Sequence, residues 1–352
     1  MSTFELTPSA RAIAKRMFRG TQELWVTDNA MLYNFEVKVG PSEPDMGEQG
    51  MGERMTGPFA AKDLLNADEV RTDDEGVSIR NGMRWTRLDS RGWDSVQSER
   101  IPSRMGGLFA QSPLMADLSS DERPDQRAAL GSLVACMPKD ETLPVLAGVC
   151  VGRDGVLSAT DRYRVARLDL GITGVGKEVI VSGRLMREVA KAKAWTLYIQ
   201  EDRTIARVAG LSIIALHIDG VYPSVASLFT GLEPETTFTS KVGPVMNAIK
   251  MIAPPKNCPV ALDTNGTMCA DGVSIPAATE TEGDSRVGMN PIYLTELVKP
   301  HGQKATITVR WTGENPHKPA LVAVDGVENL RLLIKPARLT GENAIRSHGP
   351  AA

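Results

Sequence analysis

Four cysteines, four histidines and one glycine-rich run ending in lysine are the groups best suited to covalent, metal or phosphate chemistry in this 352-residue sequence. Cys136, Cys150, Cys258 and Cys269 form no C-x-x-C pair, and a chain this long does not depend on a disulfide framework. They read as buried thiols of a reducing cytoplasm. His217, His301, His317 and His348 fall in no metal-binding spacing. The run GITGVGKE at 171–178 approaches the phosphate-loop pattern G-x-x-x-x-G-K-[ST]. Its last residue is Glu178, which would repel phosphate where a hydroxyl should meet Mg²⁺, and strand-like Val179, Ile180 and Val181 follow where a helix is needed. It reads as a loop between strands. No G-x-S-x-G elbow occurs, and the carboxylates are scattered. The sequence predicts no catalytic centre, no metal and no cofactor.

Cationic stripes carry more information. Thr7-Pro8 has the residue types of a helix start, with apolar Ala10, Ile13, Ala14, Met17 and Phe18 on one side. Arg11, Lys15 and Arg19 form another stripe, with Arg16 beside it, and Gly20 ends the helix. Ser182 opens a second such helix, burying Leu185, Met186, Val189 and Ala190. Arg184, Arg187 and Lys191 occupy its other side, with Lys193 just beyond. A third helix, with Lys241 and Lys250, is less basic. One charged helix face is ordinary; its repetition is not. If these faces share one wall, their cations meet phosphates without reading bases, and binding is salt-sensitive and indifferent to sequence. With 40 Lys and Arg against 43 Asp and Glu, the net charge of −3 excludes a uniformly basic protein but not a local basic surface.

The positioning elements recur. Helices are predicted at 7–20 and 58–66, at 121–137 and from 182, and at 242–252 and from 290. Between them lie strands: 24–39 (strand, turn, strand), a hairpin at 77–88 about Asn81-Gly82, 145–151, 156–159, 165–168, 179–181, 197–199, 204–208 and 212–217. The last third adds strands at 260–263, 273–275, 305–311, 320–324 and 329–334. Residues 40–57 read as a loop, and 102–120 as an irregular boundary. Helix, strands, helix, strands thus occurs three times, an α+β scheme of three repeated domains with helices on one face of antiparallel sheets. The divisions fall at 1–114, 115–231 and 232–352, the last with a loose tail over 340–352. No run reaches 18 apolar residues and the start lacks a signal peptide, so a cytoplasmic protein without a membrane span is expected.

At 159–166 the run ATDRYRVA resembles the A-T-D-x-x-R-[LV]-A segment in the second domain of bacterial sliding clamps, the beta subunit of the replicative DNA polymerase (DNA polymerase III). Further matches follow in the family's order: LPVLAG at 143–148, VIVSGR at 179–184, IDGVYP at 218–223, GMNPIYL at 288–294 and IKPARL at 334–339. They cover about residues 125–340; the first third matches only in its order of elements. The resemblance implies three clamp domains per chain, helices lining a ring, sheets outside, and a head-to-tail homodimer around double-stranded DNA. It implies no enzymatic activity. The polymerase and the clamp loader would dock through short peptides. The matching pocket positions are Leu146, Thr160, Arg162, Tyr163, Arg164, Val165, Pro223, Leu228, Leu333, Ile334, Pro336, Ala337, Arg338 and Leu339, an apolar trough rimmed by arginine. The plainer reading has Leu146, Val165 and Ile334 filling a core.

The wall positions expected to meet DNA are Arg16, Arg19, Arg184, Arg187, Lys191 and Lys193. Departures are visible. The chain runs 13 residues past Arg338-Leu339, Lys335 and Ala337 replace residues often large and apolar, and Pro144-Val145 stands where some relatives carry two tyrosines. Such drift fits a divergent clamp, phage-encoded or paralogous. The competing readings are an interaction scaffold of the same fold that does not encircle DNA, and a hydrolase built from loop residues.

Overall fold

Period-two burial in the strands and amphipathic burial in the helices build the molecule. In strand Thr306–Trp311, Ile307, Val309 and Trp311 are buried on one face, and the Trp311 indole donates to Ser285 Oγ at 3.0 Å. The structure, a computed structural model, describes residues 2–27, 32–34, 37–40, 55–89, 114–120, 126–139, 142–173, 175–255, 258–313 and 318–339. The expected 340–352 tail and most of the 40–57 loop lie outside the described residues, as do His317 and His348.

Six α-helices occur among the described residues: α1 (Pro8–Met17), α2 (Ala61–Asn66), α3 (Gln126–Ala135), α4 (Gly183–Lys191), α5 (Val242–Ile252) and α6 (Pro291–Val298). Two fall in each third of the chain, at the places the residue pattern predicts. Thr7 Oγ1 accepts from Ala10 N at 3.2 Å to cap α1, and Asn290 Oδ1 accepts from Ile292 N at 2.9 Å to cap α6. Ser182 occupies the cap position of α4, but its side chain makes no cap bond. α5 ends where Ala253 turns left-handed before Pro254-Pro255.

The chain divides into two compact units, one of residues 1–124 and 173–219, the other of 125–172 and 220–352. The middle third contributes to both. The first unit holds α1, α2, α4, a four-stranded antiparallel sheet and an eight-stranded one. In the larger sheet, Leu211–Leu216 pairs with Val37–Gly40, joining the middle third to the first. The second unit holds α3, α5, α6, another four-stranded sheet and eight consecutive strands of a larger one. There, Arg164–Asp169 pairs with Leu330–Ile334, joining the middle third to the last. Each unit thus fuses strands of two neighbouring thirds by antiparallel pairing.

Several expectations shift. Residues 58–60 belong to strand Met55–Ala60, not to a helix, because Phe59 pairs with Leu24 and both are buried; Pro58 is tolerated on this edge strand. Residues 24–39 give three strands, Glu23–Thr27, Leu32–Asn34 and Val37–Gly40. Pro144 opens a 3₁₀ turn, Pro144–Ala147, so the strand after it is only Gly148–Val151. Leu114–Ser119, Thr267–Ala270, Glu280–Glu282 and Val287–Met289 are additional strands, too short or polar to show a period. The run at 171–178 has no helix or strand among its described residues and leads into strand Val179–Ser182. Lys177 there pairs with Glu201 at 3.0 Å.

At the end of strand Leu211–Leu216, His217 Nε2 lies 3.0 Å from Thr204 Oγ1. Burial pushes the His217 imidazole down to about 4, against the pull of Asp202. A base whose folded pKa is lowered costs stability as pH falls below the unfolded histidine value of about 6.5, because only the unfolded state then binds the proton. Denaturant unfolding followed from pH 7 to pH 5 is expected to lose up to about 1.4 kcal/mol per pH unit through this group, and His217→Gln to flatten that slope.

Candidate functional site

Two surfaces bring the expected residues together. In the first unit, α1 and α4 lie side by side although they come from different thirds of the chain. Ile13, Ala14 and Met17 bury one side of α1, and Leu185, Met186 and Val189 bury one side of α4. Between the helices sits Glu188, a residue the apolar pattern of α4 does not single out and only 4% exposed. Arg16 donates to it three times, from Nε at 2.9 and 3.0 Å and from Nη2 at 2.7 Å. Lys191 Nζ donates to Oε1 of the same carboxylate at 3.0 Å, an oxygen it shares with Arg16 Nε. Burial pushes the Glu188 carboxyl up, but these hydrogen bonds outweigh it and hold the group below the usual carboxylate range. The one signal for it in the sequence is an acid placed four residues after Arg184 and three before Lys191.

Around this bridge, Arg16, Arg19, Lys191 and Lys193 are exposed, and Arg184 and Arg187 are half-buried. Arg19 lies just past the end of α1 and Lys193 just past the end of α4. Lys15 turns to Asn66 Oδ1 at 2.7 Å and Arg11 to Asp68 at 3.7 Å. The α1 stripe is therefore partly spent on its own neighbours.

The second surface is the turn between strands Val156–Thr160 and Arg164–Asp169. Arg162 takes a left-handed backbone, φ 75°. The turn is held from within. Asp161 Oδ1 accepts from Tyr163 N at 3.0 Å and Arg164 N at 2.9 Å, and Thr160 Oγ1 accepts from Arg162 N at 3.1 Å while donating to Arg164 O at 2.8 Å. The buried Tyr222 hydroxyl accepts from Thr160 N at 3.0 Å. Arg164 is 2% exposed and belongs to the interior rather than the expected rim. It pairs with Asp161 at 2.9 Å and Glu296 at 2.8 Å, and lies over the Tyr293 ring at 4.5 Å. Tyr163 is 48% exposed and its ring centroid lies 5.7 Å from that of Tyr293.

Sheet pairing brings the C-terminal segment to this turn. Val165 pairs with Leu333, Arg164 with Ile334, and Lys335 N donates to Tyr163 O at 2.7 Å. Val165 and Leu333 pack with Val225 and Phe229, beside Leu232 and Leu321. Val225 and Phe229 flank the turn that presents Leu228, 45% exposed. Leu146, Thr160, Val165, Leu333, Ile334 and Pro336 are buried, so they support this surface rather than line it. The accessible members are Arg162, Tyr163, Pro223, Leu228 and Arg338, with Ala337 and Leu339 half-exposed. Lys335 is exposed as well. Ala337 N donates to Gly288 O at 2.8 Å, which carries the segment onto strand Val287–Met289.

No known family profile matches the chain, and no curated protein is recognisably similar in sequence. Solved structures are similar over nearly its whole length, and the fold they share with it is that of the bacterial DNA polymerase sliding clamps. The chain is similar to the DNA polymerase sliding clamp from Bacillus subtilis at 16% identity and a TM-score of 0.66, covering 96% of this chain and 99% of that one. It is similar to the DNA polymerase III beta subunit from Thermotoga maritima at 13% identity and a TM-score of 0.66, with the same coverage. The DNA polymerase III beta subunit from Borrelia burgdorferi gives 11% and 0.67, again over 96% and 99%. Among the described residues no group of His, Cys, Asp or Glu is placed to hold a metal, and no helix is long and apolar enough to cross a membrane.

A Cβ on Gly288 would stand 2.9 Å from Leu339 Cδ2 and closer still to the backbone oxygen of Ala337. Gly288→Ala is therefore expected to lower unfolding stability by about 1–3 kcal/mol and to loosen residues 336–339, read as a shifted urea midpoint and faster amide exchange there.

Proposed function

We propose that this chain is a processivity clamp: a protein without catalytic activity that encircles double-stranded DNA and tethers a polymerase to its template. The observation that carries the reading is the pair of basic helices from two different thirds, α1 and α4, set side by side in one unit of a clamp fold. A wall of this kind offers Arg16, Arg19, Arg184, Arg187, Lys191 and Lys193 to the phosphate backbone and has no means of reading base edges. The three-domain division at 1–114, 115–231 and 232–352 goes with this reading. It is supported by the two helices in each third and by the strand pairing that repeats at the two joints.

Ring closure is a head-to-tail pairing of two chains. Strand Arg84–Leu88 ends one four-stranded sheet with Trp85 exposed, and strand Val273–Pro276 ends the other with Val273 exposed. Each offers unpaired backbone groups to a partner strand, and one chain's first-third edge meeting the other's last-third edge closes a two-chain ring. The accessible Tyr163, Leu228 and Leu339 receive short peptides of the polymerase and clamp loader. A tethered partner needs only a weak contact, because tethering raises its effective concentration. An interaction scaffold would use the same turn but leaves the basic wall without a role.

Binding to a short duplex, measured across a salt series, tests the wall: Arg184→Gln and Arg187→Gln are each expected to make the log–log salt slope shallower by about 0.9. Equal slopes in wild type and both variants would contradict it. Sedimentation over a dilution series is expected to give the mass of two 38.0 kDa chains; a single-chain mass at every concentration contradicts ring closure. Tyr163→Ala is expected to weaken binding of a polymerase-derived peptide about tenfold with the two-chain mass unchanged.

A further inference from the structure

Glu188 is a buried acid between the two helices whose exposed and half-buried cations form the expected wall. Its carboxylate is buried against α1, four hydrogen bonds reach it, and their donors are two of the six expected phosphate ligands. Arg16 and Lys191 keep exposed side chains while bound to it, at 46% and 58%. Two cations and one anion then present one net positive charge where the two cations by themselves would present two.

We propose that Glu188 is a positioning residue that fixes Arg16 and Lys191 toward solvent and tempers how strongly the basic wall holds phosphates. The inference rests on the DNA reading above. Its physical content is competition: a phosphate approaching Arg16 or Lys191 meets donors already engaged by a carboxylate. Each contact is weaker and more readily exchanged than one to an uncommitted arginine. That property suits a surface that must move along a backbone without gripping it. The arrangement also joins the two helices, so a purely structural role is the alternative that the test must separate.

Glu188→Gln removes the charge, keeps the volume and leaves an oxygen for Arg16. Anisotropy with a short DNA duplex over a salt series is the measurement. The variant is expected to bind roughly tenfold tighter at low salt, with a slope steeper by about 0.9. Glu178→Gln, an exposed acid on the 171–178 loop, is expected to leave the slope unchanged. If the single variant fails to fold, the double variant Arg16→Gln with Glu188→Gln removes the buried acid together with its arginine and leaves only the exposed Lys191. The inference predicts a wild-type slope for it, whereas a purely structural Glu188 predicts a slope shallower by about 0.9. An unchanged slope in Glu188→Gln, or a shallower one in the double variant, overturns the inference while the DNA reading stands. A wild-type protein that shows no salt-dependent binding removes both.

Discussion

A carboxylate withdrawn from water must be met by cations, and Glu188 meets that requirement with one residue of α1 and one of its own helix. This constraint sets the spacing between helices that lie about 170 residues apart in the chain. Apolar burial alone would let α1 and α4 slide or rotate, since Ala14, Met17, Leu185 and Val189 make contacts without direction. A bidentate arginine–carboxylate pair has direction. It holds the cationic sides of two helices in one surface, and on that alignment the proposed function depends. The bridge persists wherever the carboxyl is ionised. Its lowered pKa makes its contribution complete above the ordinary carboxylate value and lost only as pH falls through the depressed one.

The turn at 160–164 solves the same problem differently. Asp161 and the half-buried Glu296 form a charge cluster around the buried Arg164, with Lys139 adding a further pair to Glu296 at 2.8 Å. Removing one member would strand the others. Together with the Thr160 and Asp161 hydrogen bonds, the cluster holds the turn in which Arg162 is left-handed and Tyr163 exposed, so the exposed part of the proposed docking surface rests on an ordered support. Arginine here orders the turn from inside, and the accessible rim falls to Arg162 and Arg338.

Much of this was legible in the residues. Thr7-Pro8, Asn290-Pro291 and the 3.6-residue spacing located α1, α4, α5 and α6, because caps and amphipathic periods are local; α2 and α3 were expected without such a period, and the expected α2 ran into a strand. The alternation of Ile307, Val309 and Trp311 located their strand for the same reason. Local signals failed where pairing partners decide. Phe59 is a strand residue only because Leu24 lies opposite, and short strands such as Glu280–Glu282 exist only through their neighbours. Within the sites, the cationic stripes and the ATDRYRVA turn were visible, whereas Glu188, Val225 and Phe229 were not. Their roles come from contacts with distant residues, which a one-dimensional pattern does not carry. That clamp structures at 11–16% identity share the fold shows how far a core tolerates substitution when volume and pattern are kept.

Retention on DNA of different topology tests the central claim most directly. Protein loaded onto closed circular duplex at moderate salt and then challenged by a single linearising cut should remain on the circle and leave the linear product, because a ring is held by topology and escapes over a free end. Equal retention before and after the cut, at a salt concentration where the short duplex is not bound, would contradict encirclement.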